Sequence, residues 1–142
     1  MDELTTSRAA ETEALREFYA ALNRNDIPAT LKALDPEIEW IEPPEYPGGG
    51  THHGLAAVME HFSRARDTWA EGSCEPERFI VAGDKIIVFV HVRVRLKTEM
   101  EWREGDIADV YTFRNGKAIQ MRHFPDRLQA LEWAGVDASE AN

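Results

Sequence analysis

An α+β fold, with helices packed against one face of a curved and mainly antiparallel sheet, is what the order of elements in this 142-residue sequence predicts. Three observations carry that expectation. Two helix-forming stretches open the chain and a third follows a short strand. The strands after Glu75 then follow one another with no helix between them, which excludes a doubly wound parallel sheet. The segment Asp106–Phe124 also alternates on both sides of Asn115-Gly116, a pair suited to the positive φ values of a tight hairpin turn.

Taken in order, residues 1–10 are expected to form a loose lead-in, residues 11–134 one domain and residues 135–142 a tail. Ala10–Asn23 is rich in helix formers, and Ala14, Leu15, Phe18 and Leu22 have the spacing of a buried stripe, flanked by Tyr19. Asp26 is placed to cap a short second helix with Pro28 in its first turn. Asp35-Pro36 then restricts the backbone ahead of a strand at Ile38–Glu42, in which Ile38, Trp40 and Glu42 share a face. Pro43–Gly50 combines two kinds of breaker and reads as a loop able to cover an opening.

Leu55–Trp69 reads as a helix whose apolar face holds Leu55, Val58, Met59 and Phe62, together with Ala65 or Trp69; Gly72 closes that region. A strand is expected from about Glu75 to Ala82, and Lys85–Leu96 is strongly β-prone. One of its faces carries Ile86, Val88, Val90, Val92 and Val94; the other starts with Ile87 and Phe89 and ends with His91, Arg93 and Arg95, as suits a subunit interface or an anionic ligand. Leu128, Leu131 and Trp133 suggest a terminal helix docked by apolar contacts and ended by Gly135.

Composition removes several functions. The formal net charge of -10 disfavours nucleic acid and anionic membrane surfaces as partners. The single cysteine, Cys74, closes no internal disulfide and is expected to be a small buried or half-buried residue. Met1–Ser7 has neither a basic nor an apolar leader region, and no later run is long enough to span a bilayer, so a soluble cytoplasmic protein is expected. His52 and His53 are adjacent in an extended loop with no supporting ligand motif, so neither a metal nor another cofactor is expected.

The chemistry concentrates in the hairpin. Ile107, Asp109, Tyr111 and Phe113 fall on one side of its first strand, and Ile119, Met121 and His123 on one side of its second. If both rows face inward, Asp109 and His123 form a polar pair in an apolar wall. A carboxylate so placed suits removal of a proton next to a carbonyl, with His123 to orient it or shuttle the proton. Tyr19 suits donation to a developing oxyanion. Glu42, on the face of Trp40, offers a second carboxylate.

The stretches Phe18–Asn23, Ile38–Trp40, Gly54 before a helix reaching Phe62, and Asp109–Lys117 followed by the His123 strand resemble, in that order, the SnoaL-like members of the NTF2-like superfamily. The resemblance covers nearly the whole chain. It implies a cone-shaped α+β domain with a deep pocket, often dimeric through the outer sheet face. It also implies a pocket acid or base at Asp109 and a pocket tyrosine at Tyr19, with Trp40 and His53 lining the pocket and His123 facing it. Tyr111, Met121, Phe62 and Glu42 complete the expected substrate walls. No full site of ketosteroid-isomerase or limonene-epoxide-hydrolase type can be matched. The expected function is therefore cofactor-independent proton transfer, of isomerase or polyketide-cyclase type, on an apolar carbonyl substrate. The alternatives are a noncatalytic small-molecule-binding or dimeric interaction domain and an epoxide-hydrolase-like enzyme.

Overall fold

Helix α1 (Glu3–Asn23) and the short α2 (Ile27–Thr30) lead, in a computed structural model that describes residues 3–141 and the side chains of residues 8–141, into β1 (Leu34–Glu42) and β2 (Gly50–His53). Helix α3 (Leu55–Asp67) follows, then β3 (Trp69–Ala82), β4 (Lys85–Leu96), β5 (Arg103–Arg114), β6 (Lys117–Phe124) and α4 (Arg127–Ala134). The strands form one six-stranded sheet in the order β2-β1-β6-β5-β4-β3. Every neighbouring pair is antiparallel except β1 and β6, which run parallel, so the sheet is mixed. The α+β architecture expected from the sequence is the one found.

Local chemistry sets most boundaries. Asp26 caps α2 by accepting from the Ala29 backbone N–H at 3.2 Å. Asp126 does the same for α4 through Leu128 at 2.8 Å, and Gly135, at φ 74°, ends that helix. The β5–β6 turn has Asn115 at φ 54° and Gly116 at φ 80°, the left-handed pair that a two-residue hairpin demands.

The two faces of β4 divide the core. Ile86, Val88 and Val90 pack inward with Leu15 and Phe18 of α1 and with Val58 and Phe62 of α3. Ile87 and Phe89 face the other way, where Ala130 and Leu131 of α4 cover them. The cationic end of that outer face is engaged within the chain. His91 lies between Asp106 (2.7 Å) and Glu104 (2.8 Å), Arg95 pairs with Glu71 at 3.0 Å, and the Arg93 guanidinium sits 3.8 Å from the centre of the Trp102 ring.

Several expectations change. The stretch expected as a loose lead-in is helical from Glu3, with Arg8 and Glu11 paired at 2.6 Å one turn apart; Met1 and Asp2 lie outside the described residues. Thr51-His52-His53 forms a short edge strand against β1 instead of extending the loop. Trp69 opens β3 instead of closing α3, and Met59, Leu128 and Trp133 are exposed, leaving Ala130 and Leu131 to anchor α4. A bulge in β6 leaves Ile119 without a partner, because Phe113 pairs with Ala118 while Thr112 pairs with Gln120. Ala118 therefore takes the inward position that simple alternation assigns to Ile119.

Gly72 does not end a region but sits inside β3, at φ 125°, opposite Val94. A Cβ there would lie 2.2 Å from the Arg93 carbonyl oxygen. Gly72→Ala is expected to lower stability by more than about 1–3 kcal/mol, since the strained backbone and the clash act together. Urea unfolding measures it, and a loss under about 0.5 kcal/mol, the scatter of ordinary surface changes, would show that the strand at Gly72 relaxes freely.

Candidate functional site

Between the inner sheet face and helices α1 and α3 lies a cavity of about 340 Å³, within the usual range for small-molecule sites of roughly 300–1,000 Å³. Its walls are mostly apolar, with Val90, Val92, Val94 and Ile107 from the sheet and Phe18 and Phe62 from the helices. Asp109 lies on this wall at 6% exposure. It stands directly opposite His123 in the β5–β6 register, a pairing set by the bulge at Ile119, without which the two-residue turn would put Asp109 opposite Arg122.

Both Asp109 oxygens hold donors. The His123 Nδ1–H donates to Oδ1 at 2.7 Å, and the Tyr19 hydroxyl donates to Oδ2 at 2.6 Å across 90 residues of sequence. Since the one Tyr19 proton is committed to Asp109, the 2.9 Å contact between the two tyrosine hydroxyls has Tyr111 donating to Tyr19. Burial, reinforced by the negative charge of Asp109, pushes Tyr19 well above the ordinary tyrosine range, which keeps it a neutral donor. The far nitrogen of His123, Nε2, is 3.4 Å from the Tyr46 hydroxyl. Tyr46 belongs to the loop between β1 and β2, whose proline–glycine sequence folds it back over the cavity.

A second carboxylate shares the cavity. Glu42 Oε2 accepts from the Trp40 indole N–H at 2.7 Å and from His61 Nε2 at 2.6 Å. Burial works to raise its pKa, but the hydrogen bond and charge of His61, with Trp40 and the more distant His123, outweigh it and hold Glu42 below the usual carboxylate range. His61 is in turn stacked on His52, ring centres 4.1 Å apart. Cys74 also lines the cavity; burial pushes its thiol up to about 12, so it is a wall and not a nucleophile.

His123 has a testable titration. Burial works against its charged form, yet the Asp109 hydrogen bond and charge, helped by Glu42, outweigh burial and raise its pKa above the ordinary histidine value. The linked stability is fully present below the unfolded-state pKa of about 6.5 and is lost as pH rises through the raised folded-state value. NMR titration should place His123 above 6.5 in the native protein, and Asp109→Asn should move it down, since burial then meets less opposition. An upward move in that variant would show that Asp109 does not hold the charge.

Of the residues expected from sequence, Tyr19, Trp40, Glu42, Phe62, Asp109, Met121 and His123 all line the cavity. Tyr111 does not; it is fully buried behind Tyr19 and braces that hydroxyl. His53 does not either, because its position in β2 turns it outward to Glu37, 3.4 Å away. The pocket histidine that the sequence reading misses is His61, although it carries a signal: it follows Val58 by three and precedes Phe62 on the inward stripe of α3. Tyr46 has no such signal, as a glycine-rich loop has no period.

A family model described as a SnoaL-like domain matches residues 15–121. Among solved structures, an NTF2-like protein of unknown function from Burkholderia pseudomallei is 28% identical over 87% of this chain and 95% of its own, with a TM-score of 0.74. An NTF2-like protein from Burkholderia xenovorans is 31% identical over 89% of this chain and 95% of its own, with a TM-score of 0.71. TerC, co-crystallised with polyporic acid, is 27% identical over 89% and 98% respectively, with a TM-score of 0.73. A search of curated proteins gives no match.

Proposed function

The chain belongs to the SnoaL-like domain family of the NTF2-like superfamily, and from that premise we propose that it is a cofactor-independent enzyme that moves a proton on a small, mostly apolar carbonyl compound. The observation that supports this reading best is the buried Asp109 carboxylate on the cavity wall, fixed by Tyr19 on one oxygen and His123 on the other. Two donors leave a carboxylate with free lone pairs, so Asp109 can still accept a proton from the carbon next to a carbonyl.

The enolate so formed needs a donor at its oxygen. Tyr19 is already committed to Asp109, which moves it from the oxyanion role to that of a positioning residue. His123 in its charged form presents Nε2–H, and the Tyr46 hydroxyl lies beside it. Return of the proton from Asp109 to another carbon completes an isomerisation. Attack of the enolate carbon on a second carbonyl, with a proton supplied to that oxygen, completes a cyclisation. Glu42, held ionised by His61 and Trp40, is an acceptor for a substrate hydroxyl. A relative co-crystallised with polyporic acid supports a small organic ligand for this cavity.

A binding domain without turnover is favoured by one fact, that both Asp109 oxygens already have partners inside the chain. Solvent deuterium separates the two readings. Small cyclic ketones shown to bind should exchange the hydrogens next to the carbonyl faster with protein than in buffer. Binding with exchange at the buffer rate would reject catalysis. The reading also includes a homodimer through the outer sheet face beyond α4, where exposed Trp102 and the internally paired His91 and Arg95 lie. Sedimentation should give twice the chain mass, and Trp102→Glu should halve it; a monomer at all accessible concentrations rejects this surface.

A further inference from the structure

The cavity is electrically lopsided. One end carries the carboxylates of Asp109 and Glu42, each paired with a histidine, His123 and His61, whereas two arginines, Arg66 and Arg103, line it elsewhere. Arg103 and Asp109 lie on the same face of β5, opposite Val94 and Val88, which at the usual rise of a strand sets their backbones about 20 Å apart. Arg66 reaches the cavity from the last turn of α3, beside the end of α1, and stacks 4.7 Å from the centre of the Trp69 ring. Trp69 in turn pairs with Leu96, at the same end of β4 as Val94. Between the carboxylate–histidine end and the arginine end the wall is apolar, formed by Val90, Val92, Val94 and Ile107.

The two arginines differ in what they have left to offer. Arg103 is already engaged by both oxygens of Glu99, at 2.8 and 2.7 Å. Arg66 has no carboxylate partner among the described residues. Its Nε–H donates to the Leu22 carbonyl at 2.9 Å and one Nη2–H to the Asn23 carbonyl at 3.0 Å. A guanidinium has five N–H donors, so three remain, on a side chain held in place by two backbone acceptors and an aromatic face. A fixed, unmatched cation on an otherwise apolar cavity wall is a recognition group for an anion.

Resting on the proton-transfer reading for the position of the reacting carbonyl, we propose that the ligand is an elongated amphipathic carboxylic acid. Its apolar body lies along the Val90–Val94 wall, its carboxylate meets Arg66, and its carbonyl end reaches Asp109. The charges set the direction of binding, because Arg66 has no carboxylate partner among the described residues, whereas His123 and His61 at the other end are already matched by Asp109 and Glu42.

Binding measures this without any knowledge of the natural substrate. Octanoic, dodecanoic and hexadecanoic acids are compared at pH 8 with the primary alcohols of the same lengths, by displacement of an apolar fluorescent dye from the full chain. At the best-fitting length the acid should bind at least tenfold tighter than the alcohol. Arg66→Gln should bring the acid to the level of the alcohol and leave the alcohol unchanged, and Arg66→Lys should keep part of the difference. Because Arg66 also holds the end of α1, melting is followed in each variant, and the wild-type ratio decides the matter by itself: equal affinity for acid and alcohol overturns the proposal. Asp109→Asn separates the two ideas. An acid-to-alcohol ratio of one, with turnover still lost in Asp109→Asn, overturns the arginine site alone. A tenfold ratio with turnover unaffected by Asp109→Asn supports the arginine site and overturns the proton-transfer reading alone.

Discussion

Asp109→Asn is expected to reduce kcat/KM on carbonyl substrates by about 10²–10⁴-fold, the usual range for loss of a general base, while the protein remains folded. The amide occupies nearly the same volume and its oxygen can still accept from Tyr19, so the 2.6 Å contact that ties α1 to β5 has a replacement. What is lost is the negative charge and the capacity to take up a proton. The amide N–H₂ also turns a donor toward His123 Nδ1, which now faces a donor where it had an acceptor at 2.7 Å. Ligand affinity should change much less than turnover, because the cavity walls are untouched. Circular dichroism and a melting curve verify the fold, and unchanged turnover in a folded variant would remove Asp109 from the chemistry.

The largest structural effect is expected at Phe18. Its ring is the hub of the inner core, with centroids 5.0 Å from Tyr19, 5.7 Å from Trp40, 5.6 Å from Phe62 and 6.1 Å from Tyr111. Phe18→Ala removes a nearly fully buried side chain from contact with both helices and the sheet, and should cost about 3–5 kcal/mol. The upper part of that range is favoured because edge-to-face ring pairs contribute roughly 0.5–1.5 kcal/mol beyond burial. Urea unfolding at equilibrium gives the value. A loss below about 1 kcal/mol would mean that the neighbouring rings collapse into the space, at odds with a cavity wall braced from several sides. The hydroxyl of Tyr19 rides on the adjacent residue, so Phe18→Leu should loosen the Asp109 contact and lower activity more than its smaller stability loss suggests.

The hairpin is legible in the sequence because its signals are local: Asn115-Gly116 dictates the turn, and alternation dictates which residues share a face. Alternation within each strand therefore puts Asp109 and His123 on rows that can face inward together, but their direct pairing needs the bulge at Ile119, since an unbroken ladder from Arg114 and Lys117 sets Asp109 opposite Arg122. That bulge is not legible, since one unpaired residue changes no composition, yet it resets the partners of every residue beyond it, His123 included. His53 and His61 show the same limit from two sides. His53 stands out by its place in the chain, but a strand too short to have a clear period turns it outward to Glu37. His61 has a helical period to speak for it, yet its neighbours form a convincing apolar stripe without it. Tyr111 lies on the expected row and is still not a wall, because Tyr19 from a distant helix fills the space in front of it. Contacts of that kind depend on how elements dock, which one strand's alternation cannot report.

The parallel pairing of β1 with β6 also bears on how the protein is made. Trp40 finds its parallel partner at Met121, and Tyr19 finds Asp109, so neither of these partners exists until most of the chain has left the ribosome. Until then β1 has only the short β2 at its side, and its other edge waits for a strand that has not been synthesised. The cavity accordingly cannot close before β6 is made, since that strand completes both the sheet and the acid–base cluster. A chain cut short before Gln120 lacks His123 and most of the strand that holds β1 in register, so it should show neither ligand binding nor a cooperative melt.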